Sequence, residues 1–184
     1  MKRLLLGLVI AGCGNNDAVA PDARQCIVDP SGAASLTSTS FASCAAIPAA
    51  QTCAGPNTSP PLRWSGLPSG TQSIAVVLTD QSIDLVHWVI YDIPATATGL
   101  PAGVENTYAP ANVPGAHQTT SYDAQTRGYK GPCPPETHIY QFAVHALSTA
   151  PLTGSTEQTT AANAIALIQA QQLASATLTG TYTP

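Results

Sequence analysis

The stretch SIAVVLTDQSIDLVHWVIYDI, residues 73–93, decides the fold. It contains two apolar segments, residues 73–79 and 86–93, whose hydrophobic side chains fall on both parities. Such segments are typical of strands that are covered on both faces. Six residues, Asp80 to Leu85, join them, and a connection of that length predicts an antiparallel hairpin. Asp80 and His87 should therefore lie at the same end of one sheet.

A third predicted strand covers residues 139–147. Because side chains alternate along a strand, we expect one face to carry His138, which enters at the start of the strand, together with Tyr140, Phe142 and Val144. The other face should carry Ile139 and every second residue after it. The sequence thus places a second histidine at one end of a predicted strand.

The C-terminal part predicts one helix and one further strand. The helix spans residues 161–173, with Thr159 or Thr160 as its N-cap and an apolar stripe of Ile165, Ile168 and Leu173. Residues 176–182 follow as a strand. Together the patterns indicate a mainly β, antiparallel fold with a C-terminal helix packed on it.

Composition restricts the class of protein. The 184 residues include 16 Pro and 14 Gly, which indicates many turns, and only 9% are charged. A cytosolic domain has about 25% charged residues, so the composition favours an extracytoplasmic protein. The formal net charge is -4, and four basic residues outside the N-terminal leader form no stripe that could neutralise a nucleic acid backbone. They are Arg24, Arg63, Arg127 and Lys130.

The N-terminus predicts export and lipid attachment. Lys2 and Arg3 precede an apolar run that is too short to span a bilayer and has the length of a signal-peptide core. The run ends in VIAGC, residues 9–13, which is similar to a bacterial lipobox. We therefore expect a signal peptide at residues 1–12, a lipid on Cys13, a flexible tether at 13–34 and one domain at 35–184. The expected location is the cell envelope, at the outer membrane or facing the periplasm.

Four further cysteines remain after Cys13: Cys26, Cys44, Cys53 and Cys133. In an oxidising compartment they predict two disulfides, for which the sequence leaves three connectivities open. The chain lacks the C-x-x-C and H-x-x-x-H spacings of zinc sites, so we expect no metal. It also lacks the glycine-rich, nucleophile-elbow and metalloprotease motifs that specify a reaction, and we expect no cofactor and no enzymatic activity.

Three segments together resemble the phosphatidylethanolamine-binding protein family, in its bacterial Raf-kinase-inhibitor-like branch. They are CAGPNTSPPLRWSGLP at 53–68, the pair TD at 79–80 with HWVIYDIP at 87–94, and GYKGPCPPETH at 128–138. The resemblance runs in order to LTGTY at 178–182. It implies a large central antiparallel sheet packed against a smaller one, and a pocket for phosphate-like anions or phospholipid head groups. The residues implied for this pocket are Asp80, His87, Cys133, Pro135, His138 and Tyr140.

The chemistry of this set suits an anion. Imidazole and phenol groups donate hydrogen bonds to anionic oxygens, while a carboxylate orients a ring nitrogen or accepts from an ammonium group.

The resemblance also favours a disulfide between Cys53 and Cys133, which leaves Cys26 to pair with Cys44. A disulfide between Cys44 and Cys53 is the alternative. His117 and His145 are expected to be structural or at the surface.

The chain departs from the family pattern at three places. The usual Asp-Pro-Asp-Ala-Pro run is here DQSID at 80–84, which removes one carboxylate and both prolines. Leu85 replaces an aromatic residue, and Ile139 replaces an arginine.

Two other hypotheses remain beside a binding protein: an interaction or inhibitor module for an envelope kinase or protease, and a hydrolase or thiol enzyme that uses Cys133 with His138.

Overall fold

The computed structural model describes residues 33–184, which form eight strands, one α-helix and a short 3-10 helix. The elements are β1 Ser35–Ser38, β2 Leu62–Ser65, β3 Ser73–Asp80, β4 Leu85–Pro94, β5 Gly99–Leu100, β6 His117–Gln118, β7 His138–Leu147, α1 Ala161–Gln171 and β8 Gln172–Tyr182. The predicted signal peptide, Cys13 and nearly all of the predicted tether lie outside the described residues. No helix within residues 33–184 is both long enough and apolar enough to cross a bilayer.

The large sheet has the strand order β6-β4-β3-β7-β8, and all its pairs are antiparallel. β3 lies at its centre, between β4 and β7, and all its residues except Thr79 are buried. The predicted hairpin between β3 and β4 is confirmed by the pairing of Asp80 with Leu85. The alternating burial of β7 confirms the predicted parity, because from His138 to Ala146 the even-numbered residues are buried and the odd-numbered ones are only half-buried.

A smaller antiparallel sheet, β1-β2-β5, covers one face of the large sheet. Its Leu36, Leu62 and Trp64 belong to the same buried cluster as Val76 of β3 and Phe142 of β7. The opposite face of the large sheet packs against α1 through a second cluster. The mainly β fold with two sheets and a C-terminal helix is therefore as predicted.

α1 begins as predicted and ends two residues early. The Thr160 side chain accepts a hydrogen bond from Asn163 N at 3.2 Å, which caps the first turn. The predicted apolar stripe is wrong at Leu173, which lies in β8 and is 47% exposed. Five residues after Ile168 a helix has turned well away from the buried face, whereas Ala164, one turn before Ile168, faces the sheet. β8 begins directly at Gln172, four residues before the predicted start.

Candidate functional site

Four of the predicted site residues lie at one end of the large sheet, where β3 ends and where β4 and β7 begin. Asp80 is the last residue of β3, and it lies directly opposite Tyr140 of β7 in the strand register. His138 is the first residue of β7 and shares the face of Tyr140, because the two are separated by one residue. The three side chains therefore point to the same side of the sheet, toward the smaller sheet.

A β-bulge brings His87 to this group. Along β4, Trp88 pairs with Leu78 whereas Val86 pairs with Thr79, so that His87 is an extra residue without its own partner on β3. Strict alternation from Val89 would direct His87 to the helix side of the sheet. A bulge can redirect a side chain, and the His87 ring lies 5.4 Å from the Tyr140 ring, edge to face. We call Asp80, His87, His138 and Tyr140 the histidine cluster.

Asp80 holds His138 in one orientation. The His138 Nδ1–H donates to Asp80 Oδ2 at 2.6 Å, and both side chains are buried. The other carboxylate oxygen accepts from Ser82 N at 2.9 Å. Burial, the charge of Asp80 and a hydrogen bond to it raise the pKa of Tyr140. Tyr140 therefore keeps its proton, and Nε2 is the ring nitrogen of His138 that Asp80 leaves unused.

His87 is fixed by backbone in a comparable way. Its Nδ1–H donates to the carbonyl of Lys130 at 2.8 Å, which assigns the neutral ring a lone pair on Nε2. The ring is only 3% exposed, and burial lowers the pKa of His87 although the Lys130 carbonyl and Asp80 oppose the shift. The residue is therefore neutral near pH 7, and Nε2 becomes a donor only when a bound group supports a second proton.

Two of the segments that resemble the family, residues 53–68 and 128–138, contact each other beside His87. Cys53 N donates to the Pro132 carbonyl at 3.0 Å, and Gly131 N donates to Asn57 Oδ1 at 2.8 Å. These bonds fix the backbone on the C-terminal side of Lys130, whose carbonyl accepts from His87. The long motif at residues 53–68 thus contributes to the site by positioning a backbone acceptor.

Cys53 and Cys133 form a disulfide with a Cα to Cα distance of 5.3 Å. This confirms one predicted pairing and makes the alternative pairing of Cys44 with Cys53 wrong. In this bridged state Cys133 has no thiolate that could act as a nucleophile. The predicted Cys26 to Cys44 pair lies outside the described residues, since Cys26 does.

The remaining predicted pocket residues are more exposed than the histidine cluster. Cys133 and Pro135 lie on the loop before β7, and both are exposed. Their part in the pocket wall stays a prediction.

The other two histidines lie elsewhere: His117 Nδ1 is 2.9 Å from Asp92 Oδ2 on the far part of β4, and His145 Nδ1 is 2.5 Å from Gln172 Oε1.

Sequence reasoning missed Tyr122 and the side chain of Lys130. Tyr122 lies in the loop before β7, is 40% exposed, and its ring centroid is 4.7 Å from that of His87. Lys130 Nζ lies 5.8 Å from the centre of the Tyr122 ring and forms an ion pair with Asp123 at 2.7 Å. Loop residues have no periodicity, so that no pattern in the sequence indicates that Tyr122 covers His87.

Comparison with known proteins agrees with this architecture. Residues 37–183 match the family model described as phosphatidylethanolamine-binding protein. The crystal structure of Escherichia coli YbcL, described as a new member of the mammalian family, superposes with a TM-score of 0.75 at 31% identity, covering 83% of this chain and 99% of that chain.

Two curated relatives show the same kinship over part of the chain. A UPF0098 protein of Methanothermobacter thermautotrophicus is 40% identical over 107 residues, which are 56% of this chain and 69% of that protein. LppC of Mycobacterium tuberculosis, named as a candidate lipoprotein, is 34% identical over 121 residues, 62% of this chain and only 56% of LppC. Since the family model spans most of the chain and the fold agrees, the chain belongs to the phosphatidylethanolamine-binding protein family.

Proposed function

We propose that this protein binds a small anion, phosphate or a phosphate-bearing head group, at the histidine cluster. The observation that supports this most is the hydrogen-bonding arrangement that His87 and His138 have in common. Each ring has its Nδ1–H committed to a fixed acceptor, the Lys130 carbonyl or Asp80. Each therefore offers Nε2 to a ligand, and protonated imidazoles are strong donors to anionic oxygens.

The arrangement favours an anion over a cationic or zwitterionic ligand. Both carboxylate oxygens of Asp80 already accept a hydrogen bond, from His138 and from Ser82 N, which leaves less acceptor capacity for an ammonium group. Ser82 stands where many relatives carry the second carboxylate of this run. We therefore expect phosphoethanolamine to bind no more tightly than methyl phosphate.

Isothermal titration calorimetry of the purified protein with methyl phosphate and with phosphoethanolamine tests the proposal. His87→Ala and His138→Ala should each weaken the binding of methyl phosphate by about tenfold or more, because a charge-assisted hydrogen bond contributes about 1.5–3 kcal/mol. His145→Ala is the matched control, because His145 lies on the same strand as His138 but bonds to Gln172. Equal heats in the wild type and both cluster variants would refute the site.

We further propose that the protein acts at the cell envelope through a lipid on Cys13. The lipobox-like segment VIAGC at residues 9–13 and the likeness to LppC support this. Cys13→Ser should move the expressed protein from the detergent phase to the aqueous phase in Triton X-114 partitioning. If both forms partition alike, the anchor is wrong, whereas anion binding by the domain is unaffected.

An interaction or inhibitor module is the second candidate. It is supported by Ile83, which is 58% exposed at the tip of the β3–β4 hairpin, and by Tyr122, since both flank the histidine cluster. Crosslinking in envelope preparations with a photoreactive residue at position 83 should trap a discrete partner if this is the function. The same crosslinker at Ala170, exposed on α1, is the control.

We propose that the protein is not an enzyme. The disulfide of Cys133 supports this, because it removes the strongest nucleophile near the cluster. Thiol labelling of the native protein should leave Cys133 unmodified until a reductant is added. Labelling of Cys133 without reductant would reopen the thiol-enzyme hypothesis.

A further inference from the structure

Lys130 brings a positive charge next to the histidine cluster. Its backbone carbonyl accepts from His87 Nδ1–H at 2.8 Å, and its Nζ lies 5.8 Å from the centre of the Tyr122 ring. The Tyr122 ring is in turn 4.7 Å from the ring of His87. The ammonium group and the imidazole that we propose to bind an anion thus lie beside the same aromatic ring.

The other basic residues within the described range 33–184 are Arg63 and Arg127. Arg63 lies on the exposed face of β2, which points away from the large sheet. The guanidinium of Arg127 donates to the carbonyls of Gln118 and Glu157. Lys130 is therefore the basic side chain in this part of the protein that is placed to reach an anion at the cluster.

Asp123 holds the ammonium group of Lys130 but has other donors as well. Its Oδ2 is 2.7 Å from Lys130 Nζ and also accepts from Thr126 Oγ1 at 2.7 Å. Its Oδ1 accepts from the backbone N–H groups of Gln125 and Thr126 at 3.0 and 2.8 Å. The carboxylate thus keeps three donors if Lys130 leaves, and the four-carbon stem of lysine lets the ammonium group move.

The ion pair between Lys130 and Asp123 is weak enough to be exchanged. Its side chains are 30% and 19% exposed, and such a pair changes an equilibrium constant by up to about fivefold. The histidine cluster is buried, so that solvent screens an anion there only weakly. A charge-assisted hydrogen bond to such an anion is worth about tenfold or more. A bound anion can therefore compete with Asp123 for the ammonium group.

We propose that Lys130 is a further ligand of the anion at the histidine cluster, and that its ammonium group leaves Asp123 when the anion binds. Asp123 is then a competitor of the ligand, which neutralises Lys130 in the free protein and lowers the affinity for the anion. This inference rests on the proposed anion site, and it names two residues that set the affinity of that site.

Calorimetric titration of the purified full-length protein with methyl phosphate tests the inference. Lys130→Met keeps the backbone carbonyl that binds His87 and should weaken binding by about fivefold or more. Asp123→Asn keeps an acceptor for the turn at Gln125 and Thr126 but removes the competing charge, so that affinity should rise by up to about fivefold. If the ion pair were only structural, both variants would bind more weakly.

Two exposed residues outside the ion pair supply the matched controls. Arg63→Met removes a positive charge and Glu157→Gln removes a negative one, so that they change the net charge as the two test variants do. Both should bind methyl phosphate as the wild type does. In the Lys130→Met background, Asp123→Asn should have no effect, because the group for which Asp123 competes is gone.

The possible results separate this inference from the anion site itself. If Lys130→Met binds as tightly as the wild type, or if Asp123→Asn binds more weakly, the exchange is refuted and the histidine cluster stands. If Asp123→Asn raises the affinity equally in the Lys130→Met background, its effect is one of long-range charge, and the exchange is again refuted. If Lys130→Met abolishes binding and His87→Ala has no effect, the histidine cluster is refuted as the anion site. Absence of binding in the wild type refutes both proposals.

Discussion

Anion binding should weaken as the pH rises, because His87 must take up a proton to bind an anion. Its Nδ1–H is committed to the Lys130 carbonyl, so that Nε2 carries a lone pair in the neutral ring. Burial lowers the pKa of free His87 below 6.5, whereas a bound anion stabilises the imidazolium and raises that pKa. Binding is then coupled to proton uptake between the two pKa values.

A lower limit on the loss of affinity follows from the direction in which burial shifts the pKa of His87. Affinity is highest below the pKa of free His87 and falls by up to about tenfold for each pH unit above it. Because that pKa lies below 6.5, the affinity at pH 7.5 should be at least about tenfold below its acid limit. This holds as long as the pKa in the complex lies about one unit or more above 7.5.

Sulfate is the appropriate probe, because its charge is constant over this range whereas phosphate itself titrates. Calorimetry at pH 5.5, 6.5, 7.5 and 8.5 gives the slope, and repetition in buffers of different ionisation enthalpy counts the protons taken up. His87→Gln removes the titrating group and should flatten the slope. His145→Gln is the control, since burial also lowers the pKa of His145 although it lies outside the cluster.

Two results would refute the reasoning. If sulfate binds equally at all four pH values, His87 does not gain a proton on binding. If the slope persists in His87→Gln and disappears in His138→Gln, the proton is taken up by the other ring of the cluster.

Two further predictions concern stability. Replacing both Cys53 and Cys133 by serine should lower the free energy of unfolding by about 4.5 kcal/mol, because the bond closes a loop with a sequence separation of 80 residues; urea denaturation measures this, and an unchanged midpoint would contradict it. Asp80→Ala should lower the free energy of unfolding by about 1–3 kcal/mol, because it leaves the buried Nδ1–H of His138 without its acceptor. Urea denaturation again measures the loss, and a cost below about 1 kcal/mol would show that the pair contributes little.

The regular elements were predictable because their periodicity is local. β3 and β4 carry apolar residues on both parities, and β7 alternates over its length, so that their burial follows from the sequence. α1 begins at a threonine cap that the sequence displays. The start of β8 was missed because its first residues, Gln172 to Ser175, have no strand pattern of their own and are ordered by pairing with β7.

The cluster itself was only partly predictable. The hairpin places Asp80 and His87 at one edge, but the face of His87 depends on a bulge that arises from pairing with β3 and has no local signal. His138 joins through the register of β7, which only the completed sheet defines. The family resemblance supplied what periodicity could not, including a disulfide between residues 80 positions apart.

The shortened hairpin tip explains how one carboxylate can suffice for this cluster. Gln81 N donates to the Ile139 carbonyl at 2.8 Å, and Ile139 N donates to Ser82 Oγ at 3.0 Å. The tip is thus bound to β7 beside His138, and Asp80 Oδ1 closes the turn on Ser82 N. Asp80 therefore has two structural roles: it stabilises the turn and it orients the His138 ring. Loss of the second carboxylate lowers the negative charge at the site without loosening the ring, which favours an anion as the ligand.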